Sequence, residues 1–441
     1  MDSQLVNGTP VNPGSEVLAE EQPSLQTFLK DLYGNDAAQA LTRYMSLEKK
    51  FVSTYGSEPS VFISAPGRVE IGGNHTDHNN GRVIAASVTL DLIGAAAKSD
   101  DNTITLWSEG YPTAFRVTLD QLRPVDDERI TTSALIRGIA ARCAEAGYSV
   151  GGFQACVDSQ VMPGSGLSSS ACIEMFIGMV LNVLYNRGKI SVEELAAIGQ
   201  FSENVYFGKP CGLMDQLACG VGGIVAIDFK DPVHPGIQQI PLVLEKSDLR
   251  LAVVHTGGSH ADLTGDYAAI PKEMRAVAKA LGGNVLRDVP DEETLLKAIP
   301  ALRTSLGDRA VLRALHYMSE MDRVQKQVRS LQEDRVNDFL AQVNASGRSS
   351  AMVLQNSYPA KVPAEQGITL ALTLTAAYLE KIGQGACRVH GGGFAGTILA
   401  ILPANAVGGY RTMIEGVFGK GSLCLIDIRP TGTAVFERTV L

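Results

Sequence analysis

The chain has 441 residues, 45% of them hydrophobic, with 38 Lys and Arg against 47 Asp and Glu and a formal net charge of −9. Such a length accommodates two domains of about 200 residues, each large enough for a substantial core. The acidic balance, with no local Lys/Arg cluster, argues against a nucleic-acid partner. Seven cysteines occur singly, without CxxC spacing. They read as reduced thiols of a cytoplasmic protein, not as disulfides or zinc ligands.

Residues 1–23 are rich in Pro, Gly and acid, lack the basic start and apolar stretch of a signal peptide, and read as a flexible extension. Helical patterning covers 24–54, and strands are expected near 61–65, 82–98, 102–108 and 113–119. A helix over 132–147 precedes a strand over 151–159 and a long helix that ends at Gly188. Ser191-Val-Glu-Glu194 is a capping box opening a helix that ends near Tyr206. Strands near 222–229 and 250–255 lead into a mainly helical region, 267–345. The last unit reads as helix 369–382, a hairpin-like 385–402, helix 406–417 and strands 422–428 and 433–440. The long uncharged run from Gly391 to Tyr410 is interrupted by Gly, Pro and Asn, so it is no membrane span. This mixed order favours an α+β fold over a doubly wound parallel sheet. The expected division is the 1–23 extension, an N-terminal domain over 24–230 and a C-terminal domain over 231–441.

Three glycine-bearing segments carry the chemistry. In Ala65–Gly81 (APGRVEIGGNHTDHNNG) a buried-looking run breaks at Pro66-Gly67, and a Gly- and Asn-rich stretch follows with Arg68, Glu70, His75, Asp77 and His78. Imidazole, carboxylate and amide together suit a loop around a polyhydroxylated ligand. In Pro163–Ala171 (PGSGLSSSA) glycines let backbone N–H groups approach an anion and three serines stand where a helix begins, a natural site for phosphate oxygens. No Lys follows the glycines, so this is not the P-loop pattern. Glu174 is the only charge in the body of that helix and is expected to be deeply packed. Arg388–Gly396 (RVHGGGFAG) places three glycines before a strand, which implies close backbone approach to a neighbour.

The ordered trio resembles the small-molecule kinase family that includes galactokinase, homoserine kinase, mevalonate kinase and phosphomevalonate kinase. The first motif is similar to the galactokinase sugar signature GRVNLIGEHTDYN, here GRVEIGGNHTDHN, and CGIMDQ appears as Cys211–Gln216 (CGLMDQ). The later His/Tyr pair is His260 and Tyr267. The resemblance implies an N-terminal domain like ribosomal protein S5 domain 2, a ferredoxin-like C-terminal domain and an active site between them. It implies Asp215 and Arg68 as catalytic residues, with His75, Asp77, Gly212 and Tyr267 on the sugar. It also implies Ser170 and Glu203 as magnesium ligands. ATP would lie with its triphosphate in the cradle of Gly164, Ser165, Gly166, Leu167, Ser168, Ser169 and Ser170. The implied activity is phosphorylation of the anomeric hydroxyl of galactose by ATP with Mg²⁺, in a cytoplasmic monomer or weak homo-oligomer without a membrane or nucleic-acid partner.

Departures from the family pattern bear on the substrate. Asn74 replaces the glutamate implied to bind the hydroxyl on carbon six, while Glu70, Gly72 and His78 replace Asn, Ile and Tyr. Asn74 can still hydrogen-bond that hydroxyl. Two like charges about 4 Å apart cost about 4 kcal/mol at an effective dielectric near 20, so losing the glutamate removes a bar against galacturonate. A galacturonate 1-kinase is therefore the alternative, and a non-catalytic sugar sensor a further one. The intact GLSSSAC loop, together with Arg68, Glu203 and Asp215, favours an enzyme. The aromatic of the family's WANYVKG is missing from Thr132–Gly138 (TSALIRG), so ATP is the donor by default. His255, His316 and His390 are expected to be structural, and Trp107 to belong to the core.

Overall fold

The computed structural model describes residues 24–241, 247–258 and 263–438; the expected extension over 1–23 lies outside them. Ser24 caps α1 (Leu25–Tyr33), Gly34 ends it with φ +54°, and α2 (Ala37–Tyr55) resumes, so the expected helix over 24–54 is two helices. β1 (Val61–Gly72) corrects the expected break at Pro66-Gly67. It stays antiparallel to β2 (Arg82–Lys98) as far as Gly72 opposite Ile84, through irregularities between Pro66 and Arg68 and between Glu70 and Gly72. A bulge tolerates the proline that a regular ladder would reject. Arg68 and Glu70 are thus strand residues, two apart on one face, and the loop begins only at Gly73.

β3 (Thr103–Ser108), β4 (Phe115–Thr118), α3 (Thr132–Glu145) and β5 (Phe153–Ser159) follow the expected order. α4 (Ser169–Asn186) is apolar nearly all round and fills the core. Gly94 of β2 lets it pack close, since a Cβ there would sit 2.0 Å from the Phe176 ring. The Ser191–Glu194 capping box opens α5 (Val192–Phe201), which continues as a wider π turn over Ser202–Phe207. α6 (Met214–Val221), β6 (Ile224–Asp228), β7 (Gly236–Ile240) and β8 (Leu249–His255) precede the helical region of α7 (Thr264–Ala280), α8 (Glu292–Leu306), α9 (Asp308–Gln332) and α10 (Val336–Ser349). α11 (Gly367–Ile382), the hairpin of β9 (Ala386–His390) and β10 (Thr397–Pro403), α12 (Val407–Phe418), β11 (Leu423–Ile426) and β12 (Ala434–Glu437) complete the chain.

The strands form an eight-stranded sheet along β12-β1-β2-β5-β3-β4, with β6 and β7 attached through β2, and a four-stranded sheet β11-β8-β10-β9. Among the described residues, every pairing is antiparallel except β3 with β5. The fold is a mixed α+β one. A boundary at residue 230 does not separate the sheets, because β7 and β12 both join the first. Nor do the sheets have separate cores. Leu251 and Val253 of β8 face the large core of the first sheet and α3–α6, while Ala252 and Val254 face α11 and α12. That alternation is the two-residue period of a strand buried on both faces.

A charged link also crosses between the sheets. Arg388 of β9 donates through Nη2 to Glu70 Oε1 of β1 at 2.6 Å, with side-chain exposures of 0% and 4%. Burial holds the Glu70 carboxyl above its usual range, opposed by the charges of Arg388 and Arg68. Removing one partner of such a pair leaves a buried charge uncompensated, which costs about 3–5 kcal/mol. Arg388→Leu is therefore expected to destabilise the protein by about that amount in urea titration; a loss below about 1 kcal/mol, the value of an exposed pair, would show that Glu70 does not need it.

Candidate active site

The three glycine-bearing segments converge. Arg68 of β1 grips Asp215 of α6 with two bonds, Nε to Oδ1 and Nη2 to Oδ2, each 2.7 Å, and its Nη1 donates to Gly166 O at 2.5 Å. The backbone N–H of Arg68 donates to Leu167 O of the same Gly-Ser loop at 3.0 Å. The third segment enters through His390, whose Nε2 accepts from Glu70 N at 3.1 Å. Gly166 (φ +76°) permits this contact, because a Cβ there would lie 2.3 Å from Thr397 Oγ1 and 2.9 Å from His390 Nδ1. His390 and His316 are buried and neutral, as expected of structural histidines, and burial lowers His255 as well.

On the Gly-Ser side, Ser168 adopts φ +64° at the N-cap of α4 and donates through Oγ to Asp215 Oδ2 at 2.6 Å. The first N–H groups of a helix have no intrahelical acceptor, so this end of α4 presents donors and a partial positive charge. Ser170 Oγ donates to Glu203 Oε1 at 2.9 Å, which brings the expected metal pair together. Two hard oxygens suit Mg²⁺, which completes its shell with water and phosphate oxygens. Glu203 sits on the π turn, buried, and the same Oε1 accepts from Lys209 Nζ at 3.0 Å. Gln216 Nε2 donates to Glu203 Oε2 at 3.2 Å and to Glu174 Oε2 at 2.8 Å. Glu174 is deeply packed, as its solitary place in α4 implied, and burial, then the charge of Glu203, pushes its carboxyl well above the usual range. Lys209 follows no motif, and only its place in this fold reveals it.

On the other side, the expectation that Asn74 offers its amide to a ligand is corrected. Asn74 is 1% exposed. Its Nδ2 donates to Glu70 Oε1 and Gly391 O at 2.9 and 2.8 Å, and its Oδ1 accepts from Ser350 Oγ and Asn356 Nδ2 at 3.3 and 2.8 Å. Every valence of the amide is therefore met within the protein. His75 Nε2 faces Gly392 O at 2.9 Å, so a neutral His75 must carry its proton there. Its Nδ1 then accepts from His78 Nε2 at 3.4 Å, while His78 Nδ1 accepts from Asn79 Nδ2 at 2.9 Å. Burial lowers His75 to about 4 and His78 well below its usual value, which keeps this one-way chain neutral.

The close approach implied by Gly391-Gly392-Gly393 is to the protein itself. A Cβ on Gly392 would lie 2.5 Å from the Tyr267 ring, and one on Gly393 2.2 Å from Asn356 O. Tyr267 Oη donates to Gly393 O at 3.1 Å. Its expected partner His260 lies outside the described residues. Asp77 and Gly212 meet directly, since a Cβ on Gly212 would lie 1.6 Å from Asp77 Oδ2.

Asp215 and Asp77 are driven in opposite directions. Burial raises Asp215, but the charge and hydrogen bonds of Arg68 and the Ser168 hydroxyl outweigh it and hold the carboxyl below its usual range. Asp77 has no such cation, and burial, then the charge of Asp215, pushes it up to about 7. A carboxyl raised in the folded state binds its proton more tightly there than in the unfolded chain. Stability from this group is present at acid pH and is lost as pH rises through about 7. Asp77→Asn should therefore raise the melting temperature at pH 8 by roughly 2–4 °C, the gap narrowing as pH falls towards that of an ordinary carboxyl. A gap independent of pH in thermal melts would contradict the raised carboxyl.

Residues 49–98 match the galactokinase galactose-binding signature, and residues 134–223 match the N-terminal domain of GHMP kinases. The chain is 31% identical over 383 residues to a galactokinase of Streptomyces coelicolor, covering 85% of this chain and 93% of that protein. It is 30% identical to one of Glaesserella parasuis, covering 83% and 91%. The crystal structure of Lactococcus lactis galactokinase complexed with galactose has the same fold, with a TM-score of 0.75 at 24% identity over 89% of this chain and 99% of that one. Mevalonate kinase of L. major shares it more distantly, with a TM-score of 0.54 at 14% identity over 85% and 97%. With a sugar-binding signature, a GHMP kinase domain and relatives matched along nearly their whole length, the chain belongs to the galactokinase family of phosphotransferases.

Proposed function

We propose that this enzyme transfers the γ-phosphoryl group of ATP to the anomeric hydroxyl of galactose, giving α-galactose 1-phosphate. The observation that carries the reading is the junction at Asp215, where a carboxylate on an arginine fork stands within hydrogen-bond reach of the serine cap of α4. Phosphoryl transfer needs a carboxylate at the nucleophilic oxygen and dipoles at the phosphates, in one place. We infer that the cleft between the first sheet and the β9–β10 hairpin is the active site, with an S5-like N-terminal part and a ferredoxin-like C-terminal part around it.

In this reading the N–H groups of Gly164–Ser170 receive the triphosphate, and Ser170 and Glu203 would hold magnesium. That ion, when bound, supplies positive charge to the phosphate oxygens. Asp77 accepts hydrogen bonds from neighbouring sugar hydroxyls, with Gly212 leaving room for its carboxylate, and His75 and Tyr267 line the sugar. Asp215 orients the anomeric hydroxyl. The oxygen forms its bond to phosphorus as the bridge to ADP breaks, and the proton passes to Asp215. A carboxylate held this acidic is a weak base, which suits a loose transition state in which proton transfer comes late.

Galactose is favoured over galacturonate by the surroundings of Asn74. A uronate needs a free cation, yet Arg388 is fully buried on Glu70. ADP release measured over a panel of aldoses and uronates tests the assignment: turnover is expected with galactose, whereas faster turnover of galacturonate would overturn it. Stabilisation by sugar without any ADP would identify a sensor instead. Asp215→Ala is expected to lower kcat by about 10²–10⁴-fold while thermal shifts by galactose and a nonhydrolysable ATP analogue persist.

A further inference from the structure

Phosphoryl transfer calls for a cation beside the transferring group, yet the guanidinium of Arg68, implied by the resemblance as catalytic, is committed elsewhere. Its Nε, Nη1 and Nη2 all bond to Asp215 or Gly166 O, and its side chain is 7% exposed. Lys209 is different. Its side chain is 54% exposed, and its ammonium lies 3.0 Å from Glu203 Oε1, the oxygen that also accepts from Ser170 at the start of α4. The backbone builds this placement: Gly208 turns with φ +87°, and the N–H groups of Gly208 and Lys209 both donate to Glu203 O, at 3.0 and 3.1 Å. The side chain thus returns over the residue that anchors its own main chain. Arg129, near Gly208, is half exposed and paired with Asp126 at 3.5 Å.

Resting on the kinase reading above, we propose that Lys209 is a catalytic residue, the mobile cation that leaves Glu203 to meet the transferring phosphoryl group. As the anomeric oxygen bonds to the γ-phosphorus, the bond from phosphorus to the bridging oxygen breaks and its electron pair leaves with ADP. The hydroxyl proton goes to Asp215, and Lys209 keeps its own protons throughout. Its ammonium offsets negative charge on the equatorial phosphoryl oxygens as they pass from one oxygen to the other. A flexible four-carbon stem suits a cation that must travel, whereas a buried bidentate arginine suits one that must not.

Steady-state ADP release by wild type, K209M and K209R tests this, beside thermal shifts with magnesium and a nonhydrolysable ATP analogue. K209M is expected to lose about 100-fold in kcat, the scale for one preorganised charge contact in a transition state. Its sugar KM and analogue-induced shift should stay within twofold, and K209R should recover at least tenfold of the lost kcat. An active wild type with K209M within threefold of its kcat would overturn the role of Lys209 and leave the kinase reading standing. So would a loss of kcat matched by loss of the analogue shift, since Lys209 would then only bind the ground state. A wild type that turns over no sugar in the panel would overturn both.

Discussion

Arg68 gives Asp215 two parallel N–H···O bonds and Gly166 O a third, so one guanidinium joins β1, α6 and the loop before α4. Few other side chains present donors in a rigid fork that matches a carboxylate. Because both oxygens of Asp215 are held, the carboxylate has a fixed direction before any ligand arrives. The same pair keeps it ionised against burial. Position and charge therefore come from one contact.

Around that pair, much of the polar chemistry serves to hold loops together. Asn74 and His75 stand in a ligand-like motif, yet each is bonded to backbone or side chains of another segment, and so is His390. The glycines of the third segment serve close contacts with Tyr267 and Asn356. Buried polar groups fully satisfied in this way give rigidity and specify a single arrangement. Asp77 stands apart from them, a half-buried carboxylate without a cation, and its raised pKa records that lack.

The helices and strands with strong periodicity were legible in the sequence, from α3 through α5 and again from α11 to β11. The three motifs identified the segments that meet. Where reading failed, tertiary pairing had overridden a local signal. Pro66-Gly67 says turn, but the partner β2 carries β1 on to Gly72. Asn74 in a ligand motif says binding, but Glu70, four residues earlier, takes its amide. β12 returns to the first sheet through its pairing with β1, and no local pattern encodes a partner hundreds of residues away, whereas β7 turns back directly on β6. Lys209 was invisible because its meaning depends on a turn at Gly208 that folds it back on Glu203.

β12 has a consequence for how this protein is made. Residues 434–437 lie beside 61–64, so one edge of the larger sheet stays bare until β12 has been translated. Arg429, wholly buried on Asp91 and Ser64 close to that edge, is equally late. A nascent chain must therefore keep an almost complete sheet with an open border until β12 emerges from the ribosome. Pairings of such long sequence separation form slowly and leave aggregation-prone edges exposed meanwhile. Termination just before β12 would strip the border of its cover while leaving every glycine-bearing loop encoded.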